Sequence, residues 1–180
     1  MTGVDEFEAF VRAYQDMVFA MASRLLGNEA EAEDVTQQVF LKAFQRFGTL
    51  GPGGAAAAWL KTVTRNACLN HLTRYRRRWR LFSEMDAPEQ EGSFAASLPA
   101  PLAVTGGLER SEEHAQLERA LRALPDHQRV PLVLFHFEQT GYQEIADALG
   151  VSLAKVKTDI HRGREALKRY LVQEHATRRS

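Results

Sequence analysis

Phe7, Phe10, Val11, Tyr14, Val18, Met21, Leu25 and Leu26 recur at spacings of three and four. That spacing gathers them on one face of a helix. Gly27-Asn28 follows and reads as a helix stop. A second helix is expected from about Ala30 to Phe47, with Val35, Val39, Ala43 and Phe47 on its apolar stripe. Residues 48–54, GTLGPGG, form a breaker-rich loop. A third helix is expected from about Ala55 through Arg78, with Leu60, Val63, Ala67 and Asn70 along its stripe. Three helices of this length can enclose a small core.

The pattern fails over residues 83–107, which hold Pro88, Pro99 and Pro101 among many Ala and Ser. This reads as a linker. Helical patterning resumes near Leu108, and Leu117, Ala120, Leu121 and Leu124 form a stripe that ends at Pro125. Asp126 is the expected N-cap of the next helix, which carries Val130, Val133, Leu134 and Phe137. Pro131 fits that helix only in its first turn. No convincing strand pair or internal repeat is seen. The fold class expected is all-α: two small helical domains, 1–82 and 108–180, joined by a flexible linker at 83–107.

The richest stretch is Gln143 to Thr158, QEIADALGVSLAKVKT. Ile145, Ala146 and Leu149 of a short first helix point inward, and Ala146 is small where two helices must approach closely. Gly150 can take the positive φ that a tight helix-to-helix turn requires. Val151 plugs the turn, and Ser152 is a good N-cap for a second helix. Val156, Ile160 and Leu167 continue inward. Ala154, Lys155, Lys157, Thr158, His161, Arg162 and Arg164 remain outward, a polar and basic face suited to a major groove. An ordinary helical hairpin with a solvated basic face is the plainer account. The Ala, Gly and N-cap signals in register with a basic outer face favour DNA.

Charge sharpens this picture. The 180 residues carry 23 basic and 23 acidic side chains, a net charge of zero, but the charges are segregated. Residues 51–80 hold 7 basic and no acidic residues, residues 81–118 hold 1 and 8, and residues 151–180 hold 8 and 3. Two basic islands flanking an acidic segment point to two anion-binding surfaces. The first island culminates in Arg74-Tyr75-Arg76-Arg77-Arg78-Trp79-Arg80. Arginines bind phosphates, and the interleaved aromatics can stack on unpaired bases. Lys61, Arg65, Asn66, Asn70 and His71 lie upstream on the same expected helix. The bland alternative is a solvated helix end favoured by the helix dipole. Trp59 reads more readily as a core residue than as a base wedge.

No apolar run reaches about 18 residues, so no membrane insertion is expected. The acidic start, Met1 to Phe10, is unlike a secretory signal and points to the cytoplasm. The lone Cys68 allows neither an internal disulfide nor a cysteine zinc site. Glu29, Glu31, Glu33 and Asp34 cluster at a helix start, where acids are usually structural. No His-x-x-x-His, Glu-x-x-His or phosphate-binding Gly loop is present. No enzyme activity, metal or cofactor is therefore expected.

Together these segments resemble the extracytoplasmic-function (ECF) sigma factors of bacterial RNA polymerase. The resemblance rests on Ala32 to Phe40 (AEDVTQQVF), Ala58-Trp59-Leu60, Thr64-Arg65-Asn66-Ala67, Asn70-His71-Leu72 and the arginine run. In the second half it rests on Leu124-Pro125, Gln128-Arg129, Tyr142 to Ala146, Leu149 to Ser152, Val156-Lys157 and His161 to Arg164. The order and separation of the two sets make it specific. Asn70, where the family often has Asp, and Thr73, where it often has Arg, depart from the pattern. So does Thr140-Gly141-Tyr142, where a Leu-Ser pair is commoner.

The resemblance implies a factor that directs core polymerase to promoters and begins melting at the minus-ten element. Domain 1–82 corresponds to sigma region 2 and domain 108–180 to sigma region 4. Glu33, Asp34, Gln37, Gln38 and Lys42 would dock on the clamp helices of the largest polymerase subunit, although a solvated acidic helix start accounts for them equally. Lys61, Arg65, Asn66, Asn70, His71, Arg74, Arg76, Arg77 and Arg78 would meet the minus-ten element. The loop at 48–58 would receive a flipped base. Ser152, Ala154, Lys155, Lys157, Thr158, His161, Arg162 and Arg164 would meet the minus-thirty-five element. Further implied partners are the flap of the second-largest subunit and an anti-sigma protein. The acidic linker fits a channel built for RNA, and fits a solvated linker as well. A self-contained helix-turn-helix regulator is the main rival, but it leaves the arginine-aromatic helix and the Glu-Asp-Gln-Gln helix without a job. An adaptor protein leaves both basic islands unexplained.

Overall fold

The first half of the chain folds as α1 (Gly3–Leu26), α2 (Glu29–Arg46) and α3 (Gly54–His71), packed mutually. The structure is a computed structural model and describes residues 3–51, 53–72 and 108–178. Gly27 ends α1 at φ +67°, with its N–H donating to the Ser23 carbonyl at 2.8 Å. Asn28 then caps α2, its Oδ1 accepting from the Glu31 N–H at 3.1 Å. A left-handed residue followed directly by an N-cap folds α2 back along α1.

The inner stripe of α3 differs from the expected one. Ala56, Leu60, Thr64 and Cys68 are buried at intervals of four, with Leu72 just beyond the helix. Val63 and Ala67 are only half-buried, and Asn70 is exposed. Thr64 does not read as core by hydrophobicity. Thr64 is admitted because its hydroxyl donates to the Leu60 carbonyl at 2.7 Å, leaving no polar group unpaired. The expected continuation of α3 to Arg78 and the linker at 83–107 lie outside the described residues.

The second half comprises α4 (Leu108–Ala123), α5 (Asp126–His136), α6 (Tyr142–Leu149) and α7 (Leu153–Arg178). All regular secondary structure among the described residues is helical. Helices α4, α5 and α6 each pack on the long α7. Leu121, Leu132, Leu134, Ile145 and Ile160 are fully buried there, each contributing roughly 1.5–3 kcal/mol of apolar burial. Two local expectations are corrected. The residue preceding α5 is Pro125, and Asp126 is the helix's first residue. Its carboxylate pairs with the Arg129 guanidinium and makes no N-cap bond. Pro131 sits in the second turn of α5, not the first, and is buried. The missing N–H is tolerated because surrounding Val130, Leu132, Val133 and Leu134 bury fully and hold the helix by packing.

The two halves pack against each other through α1 and α5. Arg129, itself 3% exposed, donates to the Leu26 carbonyl at 3.0 Å and the Leu25 carbonyl at 3.4 Å, at the C-terminus of α1. It also donates to the Leu124 carbonyl of its own half at 2.8 Å. Unpaired carbonyls at a helix C-terminus carry partial negative charge, which a buried guanidinium satisfies. Around this centre run the ion pairs Arg24–Glu118 at 2.7 Å, Arg122–Glu29 at 2.9 Å and Arg65–Glu144 at 3.2 Å.

Candidate nucleic-acid interface

Helices α6 and α7 form the turn that the sequence anticipates. Gly150 adopts φ +67°, and its N–H donates to the Ala146 carbonyl. Ser152 Oγ accepts from the Lys155 N–H at 3.1 Å, the N-cap bond that starts α7. Ile145, Ala146, Leu149, Val156 and Ile160 are buried, and Val151 packs on their cluster. The turn is thus held by its apolar residues, leaving the polar face of α7 to be judged by exposure.

Exposure divides the candidate minus-thirty-five residues. Ser152, Ala154, Thr158, His161 and Arg162 are exposed, and Lys157 is half-buried with its ammonium 5.9 Å from the Tyr142 ring. Lys155 is a correction: it points inward, and its Nζ lies 2.9 Å from Asp159 Oδ1. Burial pushes the Asp159 carboxyl up, and the bond to Lys155 pulls it partly back. Arg164 is also turned inward and half-buried. Its Nε donates to His136 Nε2 at 2.9 Å, and its guanidinium lies 5.6 Å from the Phe135 ring. The outward basic set therefore reduces to Lys157, His161 and Arg162.

On α3, Lys61, Asn66, Asn70 and His71 are exposed. Arg65 is half-buried by its contact with Glu144. Lys61 and Arg65 line a hollow with Met21, Thr62, Phe137, Glu138 and Gln139, so the second half stands over this face. Burial pushes the Glu138 carboxyl up, and Lys61, Arg24 and Arg65 oppose that shift. Arg74, Arg76, Arg77 and Arg78 lie outside the described residues. Trp59 is half-buried and packs on the core, in line with its reading as a core residue.

A second hollow lies beside the loop that follows α2, lined by Phe10, Tyr14, Phe47, Gly48, Leu50 and Gly53 among others. Tyr14 donates to the Gly53 carbonyl at 3.3 Å and ties the loop to α1. Sequence reading assigned Phe10 and Tyr14 to the core stripe and missed that their rings also wall this hollow. No local signal marks them, since the loop arrives from some 40 residues away.

Glu33, Asp34, Gln37, Gln38 and Lys42 are all exposed along α2. Beside them stand Leu41 and Phe44, which are 65% and 57% exposed. Sequence reading missed both. The available signal was that neither fits the inward spacing of Val35, Val39 and Ala43. Among the described residues no group of His, Cys, Asp or Glu side chains could hold a metal, and no helix is long and apolar enough to cross a membrane.

The family model described as Sigma-70 region 2 matches residues 10–78, and that described as Sigma-70, region 4 matches residues 114–167. The ECF RNA polymerase sigma factor SigE of Mycolicibacterium smegmatis is 36% identical over 167 residues, covering 93% of this chain and 62% of that protein. The RNA polymerase sigma-E factor of Streptomyces coelicolor is 31% identical over 173 residues, covering 96% of this chain and 89% of that protein. The sigma factor RpoE of Bartonella quintana, solved in complex with the anti-sigma factor NepR, is 25% identical at a TM-score of 0.49. That alignment covers 92% of this chain and 96% of RpoE. Two region matches in the expected order, joined by relatives aligned across both, show that the chain belongs to the ECF sigma factors, the initiation factors of RNA polymerase.

Proposed function

We propose that this sigma factor reads the minus-thirty-five element through Lys157, Thr158, His161 and Arg162. The observation that carries the reading is the α6–Gly150–α7 turn, whose second helix presents these side chains from its exposed N-terminal half. Arg and Lys can bind guanine edges or phosphates, and Thr158 can meet either. Lys155 and Arg164 act beneath this face as supports, because Lys155 is paired with Asp159 and the Arg164 Nε donates to His136.

Region 2 occupies residues 1–82 and region 4 residues 108–180 in this reading. Lys61, Arg65, Asn66, Asn70 and His71 approach the minus-ten strand, with Arg74, Arg76, Arg77 and Arg78 continuing the same basic track. Phe10, Tyr14 and Phe47 offer aromatic walls on which an unstacked base can rest. Glu33, Asp34, Gln37, Gln38 and Lys42 dock on core polymerase, with Leu41 and Phe44 as apolar anchors inside that polar surround. The partners are core polymerase, through its clamp helices and flap, promoter DNA and an anti-sigma protein. The work is done in the bacterial cytoplasm and is binding, without catalysis by the chain itself.

Run-off transcription with purified core polymerase on a promoter library tests the assignment. Lys157→Ala and Arg162→Ala are expected to erase minus-thirty-five preference while minus-ten preference survives. Unchanged minus-thirty-five preference in both variants overturns it.

A further inference from the structure

Four side chains from helices α5, α6 and α7 form a continuous series of contacts that ends on the proposed reading face. Arg164 of α7 donates through Nε to His136 Nε2 at 2.9 Å, and its guanidinium lies 5.6 Å from the centroid of the Phe135 ring of α5. Phe135 stacks on the Tyr142 ring of α6, with centroids 4.5 Å apart and planes 5° from parallel. The Lys157 ammonium of α7 stands over the Tyr142 ring, 5.9 Å from its centroid. Tyr142 is the first residue of α6, and its half-buried ring packs against the core cluster. Its plane is therefore fixed by the helix start, by the core and by the stack on Phe135.

A lysine is a compact point charge on a flexible stem. Left free, its ammonium settles on whichever phosphate oxygen is nearest, which strengthens binding without reading sequence. Reading a guanine requires the ammonium to arrive at the O6 and N7 edge. A carboxylate partner fixes a lysine by taking up its donors, as Asp159 does for Lys155. An aromatic face instead attracts the cation through its quadrupole. The charge and the three ammonium donors then stay available to DNA. At a partly exposed site such a contact favours the held position about two- to fivefold.

We propose that Tyr142, held by its stack on Phe135, is the positioning residue for Lys157 and so sets how sharply this sigma factor discriminates at the base pair that Lys157 meets in the minus-thirty-five element. The inference rests on the promoter assignment above. Tyr142 acts through the face of its ring, so a phenylalanine there positions Lys157 equally well. A leucine keeps the apolar packing and removes the ring face. Phe135 and Arg164 act one step further back, by keeping the Tyr142 plane in place.

The test uses the full chain with Tyr142→Phe, Tyr142→Leu, Lys157→Ala and the double variant Y142L/K157A. Run-off transcription with core polymerase, on promoters that differ singly across the minus-thirty-five element, reads discrimination. Nuclear magnetic resonance of the lysine side-chain methylenes reads, without DNA, the upfield shift that a ring face imposes on Lys157. Tyr142→Leu is expected to remove that shift. It is also expected to lower discrimination about two- to fivefold at the base pair that Lys157→Ala affects, with minus-ten preference kept. Tyr142→Phe is expected to keep both the shift and the discrimination. The double variant is expected to match Lys157→Ala alone, because no ammonium is left to position. A loss spread evenly over the element, or a loss in Tyr142→Phe, overturns the proposal, since Tyr142 then acts on the fold or through its hydroxyl on DNA. Additive losses in the double variant overturn it too. Should Tyr142→Leu fail to fold, the wild type and Tyr142→Phe still decide, because a Lys157 without an upfield shift overturns the ring contact. An unchanged preference in Lys157→Ala removes the promoter assignment and with it the effect on discrimination, while the lysine shift separately decides whether the ring holds the ammonium.

Discussion

Lys155 and Asp159 are buried together one turn apart on α7, with Nζ 2.9 Å from Oδ1. The pair stands between the proposed reading face and the core of its half. Removing one partner from a buried pair strands the other charge away from water. Asp159→Ala is therefore expected to destabilise the fold by about 3 kcal/mol, as measured by urea unfolding. Lys155→Met combined with Asp159→Leu should recover most of that loss. The same double variant should keep minus-thirty-five preference, which separates support from reading.

Leu41 and Phe44 extend the proposed docking face of α2 with apolar surface. Phe44 packs edge-on to Phe7 at 4.9 Å, while Leu41 is 65% exposed. Apolar anchors inside a polar rim are where binding energy concentrates. Leu41→Ala and Phe44→Ala are each expected to weaken binding to core polymerase about tenfold or more, in a titration of labelled factor. Leu41→Ala should leave the unfolding midpoint within experimental error, since its side chain is largely in solvent already.

His136 and His127 make stability depend on pH. Burial, then the Arg164 charge, pushes the His136 imidazole below its usual 6.5, and Nε2 must stay unprotonated to accept from Arg164. Burial also lowers His127, with Asp159 opposing. In both cases the unfolded chain takes up its proton first. Their contribution is complete above pH 6.5 and is lost as pH falls through the lowered folded values. Asp159 and Glu138, whose carboxyls are raised, have the opposite sign and favour folding as pH falls. The difference between wild type and His127→Gln/His136→Gln isolates the imidazoles. The double variant is expected to lose less in its urea midpoint between pH 7.5 and pH 5.

Cys68 is a buried thiol pushed up to about 12, first by burial and then by the Glu138 carboxylate. The thiolate is the reactive form, and almost none is present at pH 8. Iodoacetamide is expected to label the native chain only through transient opening. The labelling rate should rise steeply across the urea transition. Rapid native-state labelling at pH 8 would show that the α3 core is open to solvent.

Much of this was legible along the chain. The α6–Gly150–α7 turn follows from local rules, because a left-handed glycine and a serine N-cap act within a few residues. The five polar residues of α2 that the family resemblance singled out, Glu33, Asp34, Gln37, Gln38 and Lys42, are all exposed. The inner stripe of α3 was less legible, because Thr64 enters a core only when its hydroxyl finds the Leu60 carbonyl. Asp126 looked like a cap, but its carboxylate is drawn instead to Arg129, three residues on.

What the sequence by itself determined is the helical make-up, the helix-turn-helix and the membership of the ECF sigma factors, since each rests on periodicity or on short runs of residues. What only the tertiary structure decided is which charges remain free to meet a partner. Lys155 and Lys157 are two residues apart and equally basic, yet one is buried against Asp159 and the other reaches the surface. The local pattern around Arg129 names no distant partner, yet its guanidinium lies on α1 carbonyls more than 100 positions earlier. Desolvation and long-range pairing depend on what stands around a side chain, and neighbours so far apart in the chain leave no mark on local pattern.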